Sequence, residues 1–411
     1  MLNKNNTREL AYLTIVDNVT PIPGYDRVEL AHVGGWTVVV GKGEFKPGDI
    51  AIYFEIDSQL PEKEPFINMD FLVKKKLKVK TQKMCKSTSQ GLLMSIENFG
   101  WISIIDNEGK RAIADPLTKK RHYPDDESRF LTEILGVTYA TSQDNARKAP
   151  SADKYKKMAQ RNGKLFSHQP FRWLMKRDWG KKLLFLFFGR KKDKKSAWPD
   201  WVHKTDEERI ENLPYLFNEK THWIATEKID GSSTTFSIKR GKGFRKNQFY
   251  VCSRNVVMDK PDKPCFYDNN IYLEMAEKYH MEEVLTKMLN KYPEADWITI
   301  QGETYGAGVQ RRDYSMKDHD FKAFNLIMSH TGRWNSEHMK EELENFYHIP
   351  CVPILDLDYT LPATLDELRE YVDSEPSKID NQMREGIVFR SLDGVRSFKC
   401  VSPNYLIKYH G

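Results

Sequence analysis

Long apolar runs are missing from this 411-residue sequence. The longest, Leu183 to Phe188, falls far short of the about 20 residues that a bilayer-spanning helix needs, so no membrane segment is expected. The first ten residues are polar and lack the apolar core of a secretory leader. Cysteine is scarce as well. Its five copies, Cys85, Cys252, Cys265, Cys351 and Cys400, show no Cys-x-x-Cys pair, which argues against zinc and a disulfide framework and fits a reducing intracellular compartment, cytoplasmic or nuclear. Strong charge bias is absent too. A net charge of +6 permits polyanion binding without demanding it, so basic residues must cluster to matter.

What is present is enough apolar material, 39% of residues, and enough length for two or three domains. From Glu9 to about Ile105 short β-patterned runs alternate with turn chemistry: Leu10 to Val16, Val28 to Val33, Trp36 to Val40, Ile50 to Phe54 and Gly91 to Ile96, separated by Pro23-Gly24, Gly34-Gly35 and Pro47-Gly48-Asp49. Strands this short remove their exposed edges by closing, so residues 1–110 are expected to form an all-β OB barrel that binds nucleic acid. The densest basic stretch there is Lys74-Lys75-Lys76-Leu77-Lys78-Val79-Lys80. Leu77 and Val79 alternate with lysines as on an edge strand, which predicts a face that tracks phosphates. Residues 111–195 read as a basic linker or insertion ending in Arg190-Lys191-Lys192-Asp193-Lys194-Lys195, a run that suits a nucleic-acid patch, a nuclear address or a solvated linker. Residues 196–411 read as one α+β domain, with helical periodicity near Ile271 to Tyr292, Ser336 to Phe346 and Thr364 to Val372, and with Thr205 or Asp206 placed to cap a helix.

Within that domain, Ala225-Thr226-Glu227-Lys228-Ile229-Asp230-Gly231-Ser232-Ser233 puts a lysine between two alternating runs, Thr221 to Thr226 and Ser233 to Ile238. Lys-x-Asp-Gly alone also describes a polar β-turn. An ammonium with a pKa near 10.4 is a poor nucleophile, and neighbouring cations or a metal ion would be needed to free the amine. Downstream come Ser253-Arg254-Asn255, Gln301-Gly302-Glu303 after Trp297 to Ile300, Phe321-Lys322-Ala323-Phe324-Asn325, Glu385-Gly386-Ile387-Val388-Phe389 and Ser397-Phe398-Lys399. In this order the series resembles that of the covalent nucleotidyltransferases, the superfamily of polynucleotide ligases and capping enzymes. The nearest resemblance is to ATP-dependent RNA ligases of the Deinococcus and Naegleria type, with an N-terminal OB domain.

That resemblance implies an enzyme joining 3′-OH and 5′-phosphate RNA ends, single-stranded or in a nicked duplex, through lysyl-AMP and an adenylated polynucleotide. ATP and Mg2+ or Mn2+ are the implied cofactors, with no obligate protein partner. Lys228 would be the nucleophile, with Asp230, Glu303, Glu385 and Lys399 completing the catalytic set. Asp230, Glu303 and Glu385 would serve the metal, directly or through water. Glu227, Gly231, Arg254, Phe324, Lys399 and Lys408 would contact the nucleotide, with Gly231 giving it room, Glu227 accepting from the adenine amine and Phe324 stacking on the base. Period-two alternation puts Phe324 and Lys322 on one strand face. Two departures stand out: Asn325 replaces an aspartate, and Lys399-Cys400-Val401 lacks a second lysine, for which Lys408 is the candidate substitute. A DNA ligase or a GTP-using capping enzyme normally carries its OB domain after the last motif. A catalytically inert RNA-binding protein would have no need of the intact lysine and carboxylates.

Overall fold

The computed structural model describes residues 1–4, 7–139, 168–175, 177, 184, 198–258 and 270–410. The basic run 190–195 lies outside the described residues. Met1–Tyr139 and Asp200–Gly411 form one compact unit, and Ala140–Pro199 forms another, whose described part includes the helix Gln169–Met175.

In the N-terminal part, Ile50–Phe54 pairs antiparallel with Ala11–Ile15 on one side and Leu92–Ser95 on the other. Asn18–Pro21, Val28–Val33 and Trp36–Gly41 make a meander, and Thr81–Met84 with Ser87–Gln90 a hairpin. Gly91 enters the next strand at φ +94°, where a Cβ would fall 2.5 Å from the Tyr53 ring, so only glycine fits. Alternation along the central strands sends Leu13, Ile52 and Phe54 into a core with Phe66, Trp101 and Ile113. A second core, around Trp36, Val38 and Tyr53, takes in Val401 and Leu406 from the far end of the chain. The barrel domain is thus packed onto the C-terminal one.

Two expectations change here. The lysine stretch is not an edge strand: a short helix ends at Lys74, and Lys76 and Leu77 turn through left-handed backbone at φ +55° and +57° before the strand begins at Thr81. Leu77 and Val79 are nevertheless buried, while Lys74, Lys75 and Lys76 are exposed. The apolar pair anchors a turn into the core, which produces the same alternation that a strand would. Residues 111–139, expected to open a linker, are also built into this part. Arg111–Ala114 pairs with Ile102–Ile105 and Arg121–His122, and Thr138–Tyr139 pairs with Ser58–Gln59.

The C-terminal domain holds two five-stranded sheets. One runs Glu208–Arg209, Ser397–Val401, Gly386–Ser391, His222–Lys228, Ile354–Thr360; the other runs Gln248–Ser253, Ser232–Lys239, Trp297–Gly306, His319–Met328, Gly332–Arg333. Each has one apolar face. Trp223, Ala225, Ile387, Phe389, Phe398 and Cys400 of the first pack with Leu368 and Val372 of the helix Leu365–Asp373, which starts on a Thr364–Glu367 capping box. Phe236, Ile300, Phe321 and Leu326 of the second pack with the helices Ile271–Lys278, Met281–Lys291 and Ser336–Tyr347. Period two then fixes what the opposite faces carry: Lys228, Thr226, Val388, Arg390 and Lys399 on one sheet, and Ser233, Gln301, Glu303 and Lys322 on the other. The expected helix cap at Thr205 or Asp206 is absent. That segment runs extended into Glu208–Arg209, which pairs parallel with Phe398 and Lys399.

Candidate active site

The site forms where the chain leaves the first sheet at Lys228 and enters the second at Ser232. Lys228 sits opposite Gly386 in the ladder, so the residue before that glycine, Glu385, meets its side chain. Lys228 Nζ donates to Glu385 Oε1 and Oε2 at 2.7 and 2.8 Å. Burial alone would lower the pKa of this ammonium, but the charges of Glu385, Glu303 and Asp230 and the Glu385 hydrogen bond outweigh it and raise it. The amine is surrounded by more carboxylates than cations, which is why its ammonium form is favoured.

The three carboxylates differ. Glu303 faces the site from the second sheet. Burial, with the charges of Glu385 and Asp230 added and that of Lys228 opposing, pushes its carboxyl up to about 8. Asp230 goes the other way: burial would raise it, but hydrogen bonds from His410 and Tyr405 and the charges of His410 and Lys228 hold it below the usual carboxylate range. Tyr405 Oη donates to Asp230 Oδ2 at 2.9 Å, His410 Nε2 meets the same oxygen at 2.9 Å, and the Asp230 N–H donates to Tyr314 Oη at 2.7 Å. Among the described residues no three His, Cys, Asp or Glu side chains converge as a set that could hold a metal ion. Burial first, and the neighbouring carboxylates second, favour the protonated form of Glu303, and a divalent cation beside it would favour the carboxylate instead. Magnesium keeps several waters and needs few direct carboxylates, so the donor set suits a hydrated ion.

Lys399 lies on the same sheet face as Lys228, across Val388. Its Nζ donates to Asp206 Oδ1 at 2.7 Å. Burial, opposed by Asp206 and assisted by Arg8, Arg209 and Lys228, lowers its pKa to about 8. Arg254 Nη2 donates to the other Asp206 oxygen at 2.6 Å, and its guanidinium lies over the Tyr139 ring.

Phe324 is the extra residue of a β-bulge. Gln301 pairs with Asn325 and Gly302 with Ala323, leaving Phe324 unpaired and turned out of the ladder. Lys322 and Phe324 are half-buried while Phe321 and Ala323 are buried, as period two requires. Arg390 lies 5.8 Å from the Phe324 ring centre. Asn325 is structural: its Nδ2 donates to Gln301 Oε1 at 3.0 Å.

A Cβ on Gly231 would lie 2.4 Å from the Thr304 carbonyl oxygen and 2.8 Å from Glu303 Cγ, so close packing against the second sheet already requires glycine there. Two expected contacts are placed differently. The Glu227 carboxylate faces the other side of the strand, accepting from Ser377 Oγ and from the Lys378 N–H at 2.8 Å. Lys408 is exposed, its ammonium over the Tyr409 ring, and the nearby residues that do reach the site are Tyr405 and His410. Asp206, read from the sequence only as a helix cap, and Arg8, Tyr314, Tyr405 and His410 were not expected at the site. Only the aromatic density of Tyr405 to His410 could have hinted at them.

These elements define a two-sheet nucleotidyltransferase domain behind an OB-fold domain. The RNA ligase family model matches residues 221–410, and an OB-fold domain model matches residues 10–96. The C-terminal domain belongs to the RNA ligase family. Among solved structures, Naegleria gruberi RNA ligase with PPi is similar over 98% of this chain and 99% of its own, at 26% identity and a TM-score of 0.68. The same ligase as a lysine mutant with ATP and Mn (TM-score 0.67) and as a glutamate mutant with AMP and Mn (0.68) matches at the same identity and coverage. No curated protein matches the sequence.

Proposed function

We propose that this chain is an ATP-dependent RNA ligase in which Lys228 is the nucleophile. The observation that carries the assignment of Lys228 is its position: it ends one sheet, at the crossing to the next, with Glu385, Glu303 and Asp230 around it and Lys399 on the same face. In the first step the Lys228 amine attacks the α-phosphorus of ATP, a P–N bond forms, the α–β bridging P–O bond breaks and pyrophosphate leaves. AMP then passes to the 5′-phosphate of an RNA end, and a 3′-OH displaces it to close the phosphodiester. Such transfers depend on positioning and charge stabilisation.

Lys399 supplies positive charge at the α-phosphate. Arg254 contacts the ribose or the RNA end through its guanidinium fork. Phe324, turned out by its bulge, stacks on adenine. Glu303, Glu385 and Asp230 would hold a divalent cation through its waters, and the ion would add positive charge beside the phosphates and Lys228. Since Lys228 starts as an ammonium paired with Glu385, it must lose a proton before attack. Lys408, being exposed, suits a contact with the RNA strand. The crystals of the Naegleria gruberi ligase with ATP, AMP and Mn support this choice of cofactors.

RNA is the substrate class, and single-stranded or nicked ends are the forms we assign to it. Cys85, Cys351 and Cys400 are free thiols, and no described helix is long and apolar enough to cross a membrane; a reducing cytoplasmic or nuclear setting is part of this reading. The test is transfer of label from α-labelled ATP to the protein. Wild type becomes labelled and Lys228→Ala does not, whereas a labelled Lys228→Ala protein removes the assignment.

A further inference from the structure

The loop Thr205–Glu208 is tied down at every residue. Thr205 and Ser233 share a hydrogen bond between their hydroxyls. Glu207 accepts from Ser397 Oγ, from Arg390 Nη2 at 3.3 Å and from Arg333 Nη1 at 3.4 Å. Glu208 accepts from Asn212 Nδ2 at 2.8 Å. Between these anchors Asp206, its side chain only 10% exposed, divides its two oxygens: Oδ1 to Lys399, and Oδ2 to Arg254 and, at 3.9 Å, to Arg8. Arg8 comes from the barrel domain. It is itself 8% exposed and held there by Glu55 Oε2 at 2.9 and 3.0 Å.

We propose that Asp206 is a positioning residue for lysyl-AMP formation, and that Arg8 of the barrel domain completes the same device. One carboxylate on a pinned loop sets where Lys399 and Arg254 stand. A carboxylate that could swing away would act as a placeholder for phosphate; this one is fixed by its neighbours on both sides, so the cations are presented to the nucleotide in a set geometry. The barrel domain thereby contributes to the nucleotide step as well as to RNA binding. The inference rests on the functional reading above, in which Lys399 and Arg254 are the cations that meet the substrate.

The charges facing Lys399 give the test its direction. Asp206 favours its ammonium; Arg8 and Arg209 from one side and Lys228 from the other disfavour it, and burial adds to them. Lysyl-AMP formation is measured at subsaturating ATP across the range from about pH 6 to about pH 10, where the profile reports groups of the free protein. Loss of a protonated Lys399 produces the alkaline limb. In Asp206→Asn that limb moves to lower pH by about one unit, and in Arg8→Gln it moves to higher pH. Opposite displacements support the proposal. A lower rate with the limb unmoved in both variants, or displacement of both in one direction, overturns it, because a merely structural role moves neither. If Asp206→Asn loses its cooperative melt, Arg8→Gln decides alone, and an unmoved limb overturns the proposal. Wild-type protein that forms no lysyl-AMP at all defeats the functional reading instead, so the two failures are distinguishable.

Discussion

At the scale of single residues, the bonds of Lys228 to Glu385 and the carboxylates around it favour its ammonium form, so under the proposed mechanism a proton must leave Lys228 before it attacks phosphorus. Nucleotide choice is the next question at this scale. Phe324 offers a ring face, and stacking accepts any base at about 1–3 kcal/mol per base. Phe324→Ala should therefore slow labelling by ATP roughly 5- to 150-fold without raising the relative use of GTP. Glu227 was expected to read the adenine amine, but both its oxygens serve Ser377 and Lys378. Glu227→Gln should accordingly weaken labelling with ATP and GTP to a similar extent by loosening that loop. Labelling rates with both nucleotides for the three proteins check this, and a changed ATP-to-GTP ratio in Glu227→Gln would return base reading to its side chain.

At the scale of elements, periodicity told the truth wherever a strand is covered on one face only. The alternation in His319–Met328 placed Phe324 beside Lys322, and the structure leaves both half-buried on that face, with Phe324 packed against the small cluster of Ile229, Tyr305, Tyr314 and Val352. The same signal misled at Lys74–Lys80, because a turn that buries Leu77 and Val79 repeats every second residue just as a strand does. The bulge at Phe324 was not legible, since the extra residue is defined by the partner strand. The exposed Lys74, Lys75 and Lys76 still suit phosphate tracking, now from a turn. Replacing all three with serine should weaken RNA binding and flatten its salt dependence by up to about 2 in log–log slope, at about 0.7 per single-strand phosphate contact. Lysyl-AMP formation should stay intact. Filter binding at several salt concentrations measures it, and an unchanged slope means that the RNA runs elsewhere.

At the scale of the whole molecule, the order of barrel and ligase domains was readable from motif order, but their union was not. It is made by isolated polar residues that leave no pattern in the sequence. Asn212 Oδ1 accepts from Trp36 Nε1 at 2.8 Å, and its Nδ2 donates to Glu55 and Glu208 at 2.9 and 2.8 Å. Glu55 is fully buried at the centre. Burial would push its carboxyl up, yet the Met1 ammonium, Arg8 and Asn212 hold it at about 2, below the ordinary 4.5. A carboxyl depressed in the folded protein contributes stability that is complete above its unfolded value and lost as pH falls through the folded one. Glu55 should thus contribute on the order of 3 kcal/mol at neutral pH. Glu55→Gln, which also strands the charge of Arg8, should be markedly less stable than wild type at pH 7. The difference should begin to narrow below pH 4.5 and be mostly gone near pH 2, when Glu55 itself is protonated. Urea denaturation of both proteins at a series of pH values reads the difference directly. If it stays constant down to about pH 2, the charge of Glu55 is not what joins barrel to ligase domain, and the shared core of Trp36, Tyr53, Val401 and Leu406 must do so unaided.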